Sequence, residues 1–357
     1  IVKGNTLTVP SWRPDVLCTA DVAEEVARIF GYNKIPSTLL SGESTQGGLS
    51  PMQKFTKSIG LICRAMGYSE CSTYSFQSPK FSDLLRLPAD STLRKQVKIL
   101  NPLGDETSVM RTSMLPSMLE VLARNYNNRN LSADLFELGT VYIPHCIDGV
   151  VDTTVLPIES PVLVLGSYGK GRDFYTIKGA VETLLSSLGI VNVSFEPETK
   201  DPTWHPGRCA NIFSGDVAIG AVGQIHPQVA ENFDVELPIY MAELCVERLF
   251  AHQNAASEYR PLPKYPAVTR DLAIVCDRAL PVAHLERCLR ESIGEILESI
   301  SLFDVYTGEQ VAADKKSVAY ALILRHADHT LKDDEIEAKM KAALEALKTK
   351  LGATLRD

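Results

Sequence analysis

The stretch Asp134-Leu-Phe-Glu-Leu-Gly-Thr-Val-Tyr-Ile143 reads as a β-strand, and so does the next apolar run, Pro161-Val-Leu-Val-Leu-Gly-Ser167. No helical periodicity separates the two. A parallel pair needs a crossover that is usually a helix, so strands that succeed one another without one favour antiparallel pairing. Reading outward, a helix is expected at Met114–Tyr126, through Leu119 and Leu122. Another is expected at Asp173–Leu188, with Ile177, Val181, Leu184 and Leu185 inward. Further strands are expected at Val191–Phe195, Val217–Ile225 and Ile239–Leu244. On the N-terminal side, Pro51 opens a helix in which Phe55, Ile59, Ile62 and Met66 recur at helical spacing, and Cys71–Phe76 reads as a strand. Helices do not alternate with strands one for one. The expected class is therefore α+β with a mainly antiparallel sheet, not a doubly wound α/β sheet.

Smaller units flank this core. Residues 1–36 read as a short strand, a Pro-bounded turn and a helix from Asp21 to Phe30, with Val22, Val26, Ile29 and Phe30 on one face and Gly31 at its end. Ser37–Ser50, rich in Ser, Thr and Gly, reads as a linker. After the Pro-rich connector Arg260-Pro-Leu-Pro-Lys-Tyr-Pro266 come a strand at Leu272–Cys276, a helix at Pro281–Ile293 and strands at Leu302–Val311 and Val318–Arg325. A helix follows from near Lys332, with Ile336, Met340, Leu344, Leu347 and Leu351 on one stripe, and Ala353–Arg356 can form a last strand. The order β-α-β-β-α-β is that of a ferredoxin-like domain. The chain is thus expected to be multidomain, with units at 1–42, 43–258 and 259–357.

Apolar residues at 45% and charged ones at 22% place the chain among soluble globular proteins. No apolar run approaches a membrane span, and the expected location is the cytoplasm. Lys3 is followed by polar residues without the apolar core of a signal peptide, so the chain is expected to begin inside a longer protein. The eight cysteines form no CxxC pair and sit mostly among apolar neighbours, which reads as reduced, buried thiols. The net charge of −8 argues against a free-standing nucleic-acid binder. Residues 259–357 hold 15 Lys and Arg against 16 Asp and Glu, and the rest holds 21 against 28, so the tail repels nucleic acid least.

Near the start, Asp15, Asp21, Glu24 and Glu25 fall close together. Asp21, Glu24 and Glu25 share the first helical turns, and Asp15 lies in the preceding turn. Four hard oxygen donors at one helix start could hold a hard cation. The same residues also read as a capping box, Asp21-Val-Ala-Glu24, and as acids complementing a helix dipole. Spacing alone favours capping over metal.

Longer motifs make the sequence specific. Pro10-Ser-Trp-Arg-Pro-Asp15, followed by Asp21-Val-Ala-Glu-Glu-Val-Ala-Arg-Ile-Phe-Gly-Tyr-Asn-Lys-Ile-Pro36, resembles the end of the B5 domain of bacterial phenylalanine–tRNA ligase beta chains. Asn101-Pro-Leu-Gly104, Met110-Arg-Thr-Ser-Met-Leu-Pro116, Asp134-Leu-Phe-Glu-Leu-Gly139 and Gly223-Gln-Ile-His-Pro227 resemble the family's class II synthetase-like core. Lys264-Tyr-Pro-Ala-Val-Thr-Arg-Asp-Leu-Ala273 and Leu302-Phe-Asp-Val-Tyr306 resemble its ferredoxin-like anticodon-binding domain. The matches run in family order over nearly the whole chain. The resemblance implies a part of an α₂β₂ ligase that joins phenylalanine to tRNA(Phe), with ATP and the chemistry in the alpha chain. It implies Mg²⁺, shared with that chain, at Asp15, Asp21, Glu24 and Glu25, and so reverses the preference for capping. Anticodon contact falls to the tail, where Arg270, Arg325 and Lys332 are the candidates and His329 stands where the family often carries Arg. The family's N-terminal editing domains have no counterpart here.

No catalytic residue is assigned. Adenylate formation needs cationic clamps on a developing phosphate charge. Where a catalytic chain would carry an arginine after the strand from Leu135, this one continues Tyr142-Ile143-Pro144, and no arginine occurs from Cys209 to Glu247. There is no Walker A or HExxH sequence. His205 and His226, each before a proline, read as turn or core residues, and Trp12 and Trp204 as core or interface anchors. Two rivals remain: a self-sufficient activating core, and a ferredoxin-like regulatory module that senses a small molecule on a synthetase-like scaffold. The chain alone should support no phenylalanine-dependent ATP–pyrophosphate exchange; exchange above background would establish the first rival.

Overall fold

A computed structural model describes residues 1–44, 46–254, 259, 261–308 and 310–356. Arg260 of the connector and Glu309 of the expected strand Leu302–Val311 lie outside these. The chain separates into two compact units, Ile1–Leu49 and Ser50–Asp357.

In the first unit a two-residue hairpin, Val2–Lys3 against Thr6–Leu7, precedes helix α1, Thr19–Phe30. No residue of α1 is buried. Its apolar side lines an open groove of about 640 Å³ with Leu7, Val9, Trp12 and Val16. Trp12, 74% exposed, anchors no core within this unit.

The second unit is built on a seven-stranded sheet. Helix α2, Pro51–Ala65, is opened by a Ser50–Gln53 capping box with Pro51 in its first turn. Strand β1, Ser69–Glu70, follows, and then helix α3, Leu115–Asn127. Strands β2, Ser132–Ile143, and β3, Ile158–Gly169, form a long antiparallel pair. Helix α4, Phe174–Ser187, is capped by Asp173. After it come β4, Val193–Pro197, β5, Trp204–Ser214, and β6, Val217–Ile225. Helix α5, Pro227–Asn232, strand β7, Ile239–Cys245, and helix α6, Val246–His252, close the core. The sheet order is β4-β5-β6-β7-β3-β2-β1, antiparallel except for β1 against β2.

Both faces of this sheet are covered, which explains the unbroken apolar run Val162–Leu165. Leu163 and Leu165 pack with α2, α4 and α6, through Ile59, Val181 and Leu249. Val162 and Val164 pack beneath α3, against Met118 and Leu122. Alternate residues of one strand thus feed two cores.

In the tail, β8, Val268–Asp277, β9, Leu297–Tyr306, β10, Lys315–Leu324, and β11, Thr354–Leu355, pair in the order β9-β10-β8-β11. Helices α7, Val282–Ile293, and α8, Asp333–Leu351, cover one face, where Leu272, Ile274, Tyr320 and Leu322 meet Leu285, Leu289 and Leu347. The chain is α+β, with a β-α-β-β-α-β tail.

Three expectations shift. Cys71–Phe76 is not one strand: the Thr73 amide and hydroxyl bind the Glu137 carboxylate and draw the segment out of the ladder. Strand β5 was not expected, because Pro206 and Gly207 interrupt its pattern; the register shifts there, between Trp204 and Cys209. The strand expected at Leu302–Val311 runs Leu297–Tyr306, carrying Glu298, Ser299 and Ser301 as well as two register shifts.

Helix α3 lies so close to the sheet that a Cβ built on Gly166 would come 2.8 Å from Leu122 Cδ1 and from Met118 Cγ. Gly166→Ala should cost about 1–3 kcal/mol by overpacking, read as a lower urea midpoint with an unchanged slope.

Candidate functional site

Three places hold the candidate residues. The first is the acidic corner before α1. The capping role is real but lies three residues earlier than Asp21-Val-Ala-Glu24 suggests. Cys18 stands at the N-cap, and Asp21 Oδ2 accepts from the amides of Leu17 at 2.7 Å and Cys18 at 2.8 Å. Those amides hold the Asp21 carboxyl below its ordinary range. Arg13 grips Asp15 through Nε, at 3.0 and 3.1 Å, and through Nη2 at 2.6 Å. The same Nη2 donates to Glu25 Oε1 at 2.8 Å, and Arg28 Nη2 donates to Glu25 Oε2 at 2.6 Å. Arg13 first, then Arg28, lowers the Glu25 carboxyl to about 2. Glu24 is exposed and in no ion pair among the described residues.

Mg²⁺ asks for near-octahedral oxygens at about 2.0–2.1 Å. Among the described residues, no three His, Cys, Asp or Glu side chains are gathered to hold a metal ion. In this arrangement the four carboxylates do not fit the ion. Arginines and amides take their oxygens instead.

The second place is the sheet face beneath α3. Glu137 on β2, Val164 on β3 and Glu243 on β7 stand opposite one another in one row. Arg111, 2% exposed, lies against this row. Its Nε donates to Thr140 O at 2.8 Å, and its Nη1 donates to Thr73 Oγ1 at 2.9 Å and reaches Glu137 Oε1 at 3.4 Å. Glu243 Oε1 accepts from the Met114 amide at 2.6 Å and Ser113 Oγ at 3.0 Å, so it anchors the start of α3. Burial raises its carboxyl above the ordinary range. Every charge in the row is engaged within the fold, and Met114 and Met118 fill the space above it.

The count of missing arginines stops one residue before Arg248. That residue lies in the first turn of α6, where Nη1 donates to Ala218 O at 2.7 Å, at the start of the neighbouring strand β6. Ile143, at the end of β2, carries no charge that could clamp a phosphate. His205 and His226 accept from the amides of Gly207 and Gln228, both at 3.1 Å, which bears out turn histidines. Trp204 is buried. Of the eight free thiols, Cys63, Cys209, Cys276 and Cys288 are buried, while Cys18 and Cys146 are exposed.

The third place is one end of the tail. Arg270 near the start of β8, Arg325 just past β10 and Lys332 just before α8 lie there. Arg270 reaches Asp333 at 3.5 Å. Arg325 is tied to Glu298 at 2.6 Å and to the Tyr265 carbonyl at 2.5 Å. Lys332 is exposed and in no ion pair among the described residues. Two histidines join this end: the His326 and His329 rings lie 4.1 Å apart, and His329 Nε2 lies 3.2 Å from Glu335. The sheet face away from the helices shows Thr269, Asp271, Ala273, Val275, Ala321 and Ile323, with Asp304 opposite Ala319. Single-residue motifs did not point to the histidine pair, because its contact is made by the turn between β10 and α8.

Residues 35–246 match the phenylalanyl tRNA synthetase beta chain CLM domain, residues 263–356 the ferredoxin-fold anticodon binding domain, and residues 2–32 the tRNA synthetase B5 domain. The phenylalanine–tRNA ligase beta subunit of Clostridium acetobutylicum is 43% identical over 357 residues, covering 99% of this chain and 44% of that protein. That of Clostridium tetani is 42% identical with the same coverage. The chain thus spans less than half the length of these relatives. Among solved structures, the pyrrolysyl-tRNA synthetase of Desulfitobacterium hafniense superposes at a TM-score of 0.46, with 14% identity over 64% of this chain and 74% of that one.

The buried Arg111–Glu137 contact yields a sharp test. Glu137→Ala should cost about 3–5 kcal/mol, because it leaves a buried guanidinium uncompensated. The double variant Arg111→Met, Glu137→Leu should lose less than Glu137→Ala alone. Denaturant unfolding of the three chains measures both differences.

Proposed function

Because the chain belongs to the phenylalanyl-tRNA synthetase beta chain family, we propose that it serves as a non-catalytic part of phenylalanine–tRNA ligase, assembling with an alpha chain in the cytoplasm and contacting tRNA(Phe). One observation carries the non-catalytic part. The row Glu137–Val164–Glu243 on the core sheet is sealed by α3, with Arg111 and Arg248 engaged by the protein's own groups. A phosphate needs a cation free to meet it. ATP and phenylalanine activation accordingly belong to the partner chain, in an α₂β₂ assembly.

The tail supports the RNA part. Its helix-free sheet face carries small and apolar residues broken by Asp271 and Asp304, and the neighbouring end carries Arg270, Arg325, Lys332 and two histidines. Such a surface suits unstacked bases and phosphates. Arg270 and Lys332 are the freer charges, and Arg325 positions the connector through Tyr265. No helix among the described residues is long and apolar enough to cross a membrane. A divalent cation enters this reading at Asp15, Asp21, Glu24 and Glu25, with Arg13 moved aside.

Mixing this chain with an alpha chain, with and without Mg²⁺, tests assembly by light scattering. A complex that forms aminoacyl-tRNA when neither chain does alone is the expected result; persistent separation of the two chains would refute the reading. In that complex, Arg270→Glu and Lys332→Glu should each weaken tRNA(Phe) binding roughly tenfold and lower the salt slope by about one. Unchanged affinity in both variants would remove these residues from the RNA surface.

A further inference from the structure

We propose that Arg86, His205 and His226 form an anion site that takes a phosphate group. The site is open, which favours a backbone phosphate of an RNA held by other contacts over a small ligand that needs enclosure. That choice of source rests on the reading that the chain contacts tRNA(Phe).

Three turns bring the groups together. The His226 amide donates to the Thr203 carbonyl at 2.9 Å. Thr203 Oγ1 donates to the Leu85 carbonyl at 3.0 Å, and Asn232 Nδ2 donates to the Leu84 carbonyl at 2.8 Å. Arg86 Nη1 reaches the Pro202 carbonyl at 3.4 Å. Leu85 and Thr203 are buried, so the turns are fixed against the core. Arg86 itself is held at φ 60°, in the left-handed region that disfavours a residue with a Cβ. Arg86, His205 and His226 all stay partly exposed.

Each histidine is locked by its own turn. Nδ1 of His205 accepts from the Gly207 amide, and Nδ1 of His226 accepts from the Gln228 amide. A neutral imidazole that accepts at Nδ1 carries its proton at Nε2. Both rings therefore present an Nε2–H donor, and neither donor has an acceptor among the described residues. The Arg86 guanidinium adds further donors and is in no ion pair among the described residues. The charge of the trio is unbalanced. Burial, then Arg86, then His205 hold the His226 ring below its ordinary range, and no carboxylate raises it. The acids of the same turns are engaged elsewhere. Glu198 and Asp201 accept from backbone amides of their own turn, Arg94 holds Asp83, and Glu231 and Asp234 line a cleft with Pro227 and Leu237. A phosphate supplies the missing negative charge and accepts from all three side chains.

The test uses the full chain and two probes. Inorganic phosphate is titrated while the histidine ring signals are followed by NMR; the His205 and His226 rings should shift together and saturably. For tRNA(Phe), affinity is read by fluorescence anisotropy on the complex with an alpha chain. Arg86→Gly removes the charge and suits the left-handed backbone, while His205→Asn and His226→Asn keep a turn acceptor and remove the outward donor. Arg86→Gly should weaken tRNA(Phe) binding roughly tenfold and lower the salt slope by about one. A bound anion favours the protonated rings, so parent affinity should rise between about pH 8 and pH 6, and the double histidine variant should flatten that rise. Lys170→Gln, which removes an exposed charge outside the three turns, is the control for simple charge loss. A loss of tRNA(Phe) affinity beyond that control supports the site. Ring shifts with phosphate but tRNA(Phe) affinities equal to the control would assign the site to free phosphate and overturn the RNA source. No ring shift and no loss beyond the control would overturn the site. If the parent complex binds no tRNA(Phe), the RNA reading of the chain falls, and the phosphate titration alone decides whether the site stands.

Discussion

Arg111 and Glu137 sit where the fold leaves almost no water, and the surrounding structure is arranged to keep their charges satisfied. Thr73 leaves the strand ladder to bind Glu137, Thr140 turns a carbonyl to Arg111, and α3 begins against Glu243 across the same row. A sheet with helices on both faces has no wet side on which to leave a charge. The polar row survives because its members answer one another. The same closure fills the face with methionine side chains and leaves little for a ligand to meet.

Much of this was legible in the sequence. Strands not cleanly separated by helices pointed to a mainly antiparallel sheet, which the Ser132–Ile143 and Ile158–Gly169 pair exemplifies, and Val217–Ile225 lies where its pattern placed it. Motifs in family order located the three domains' characteristic residues. What the sequence hid was non-local. Strand β5 carries Pro206 and Gly207, which break its alternation, yet it pairs with β6 across a bulge. The turn that Thr73 makes depends on a carboxylate 64 positions away. At the acidic corner, the spacing of the four carboxylates was visible, but their partners were not. A guanidinium two residues from Asp15 and twelve from Glu25 becomes their bridge only once the chain turns at Pro14.

Charge is used in two ways along this chain. In the core, the Arg111–Glu137 contact is nearly inaccessible, and disturbing either partner strands the other. At the acidic corner and the tail, the pairs are solvent-touched and individually weak, so other charges can replace them. The first arrangement holds a shape. The second leaves room for exchange with ions, nucleic acid or another chain.

The place of β7 in the sheet also sets an order on folding. It lies between β6 and β3, which are separated in sequence by a helix and two strands. During synthesis from the N-terminus, β3 is already made while its inner edge has no partner, and it stays so until Cys245 has emerged. An open edge on a strand that carries the apolar run Val162–Leu165 invites pairing with other chains. The interval between Gly169 and Cys245 is therefore one in which the nascent chain is exposed to misassembly, and in which a chaperone would find an edge to hold.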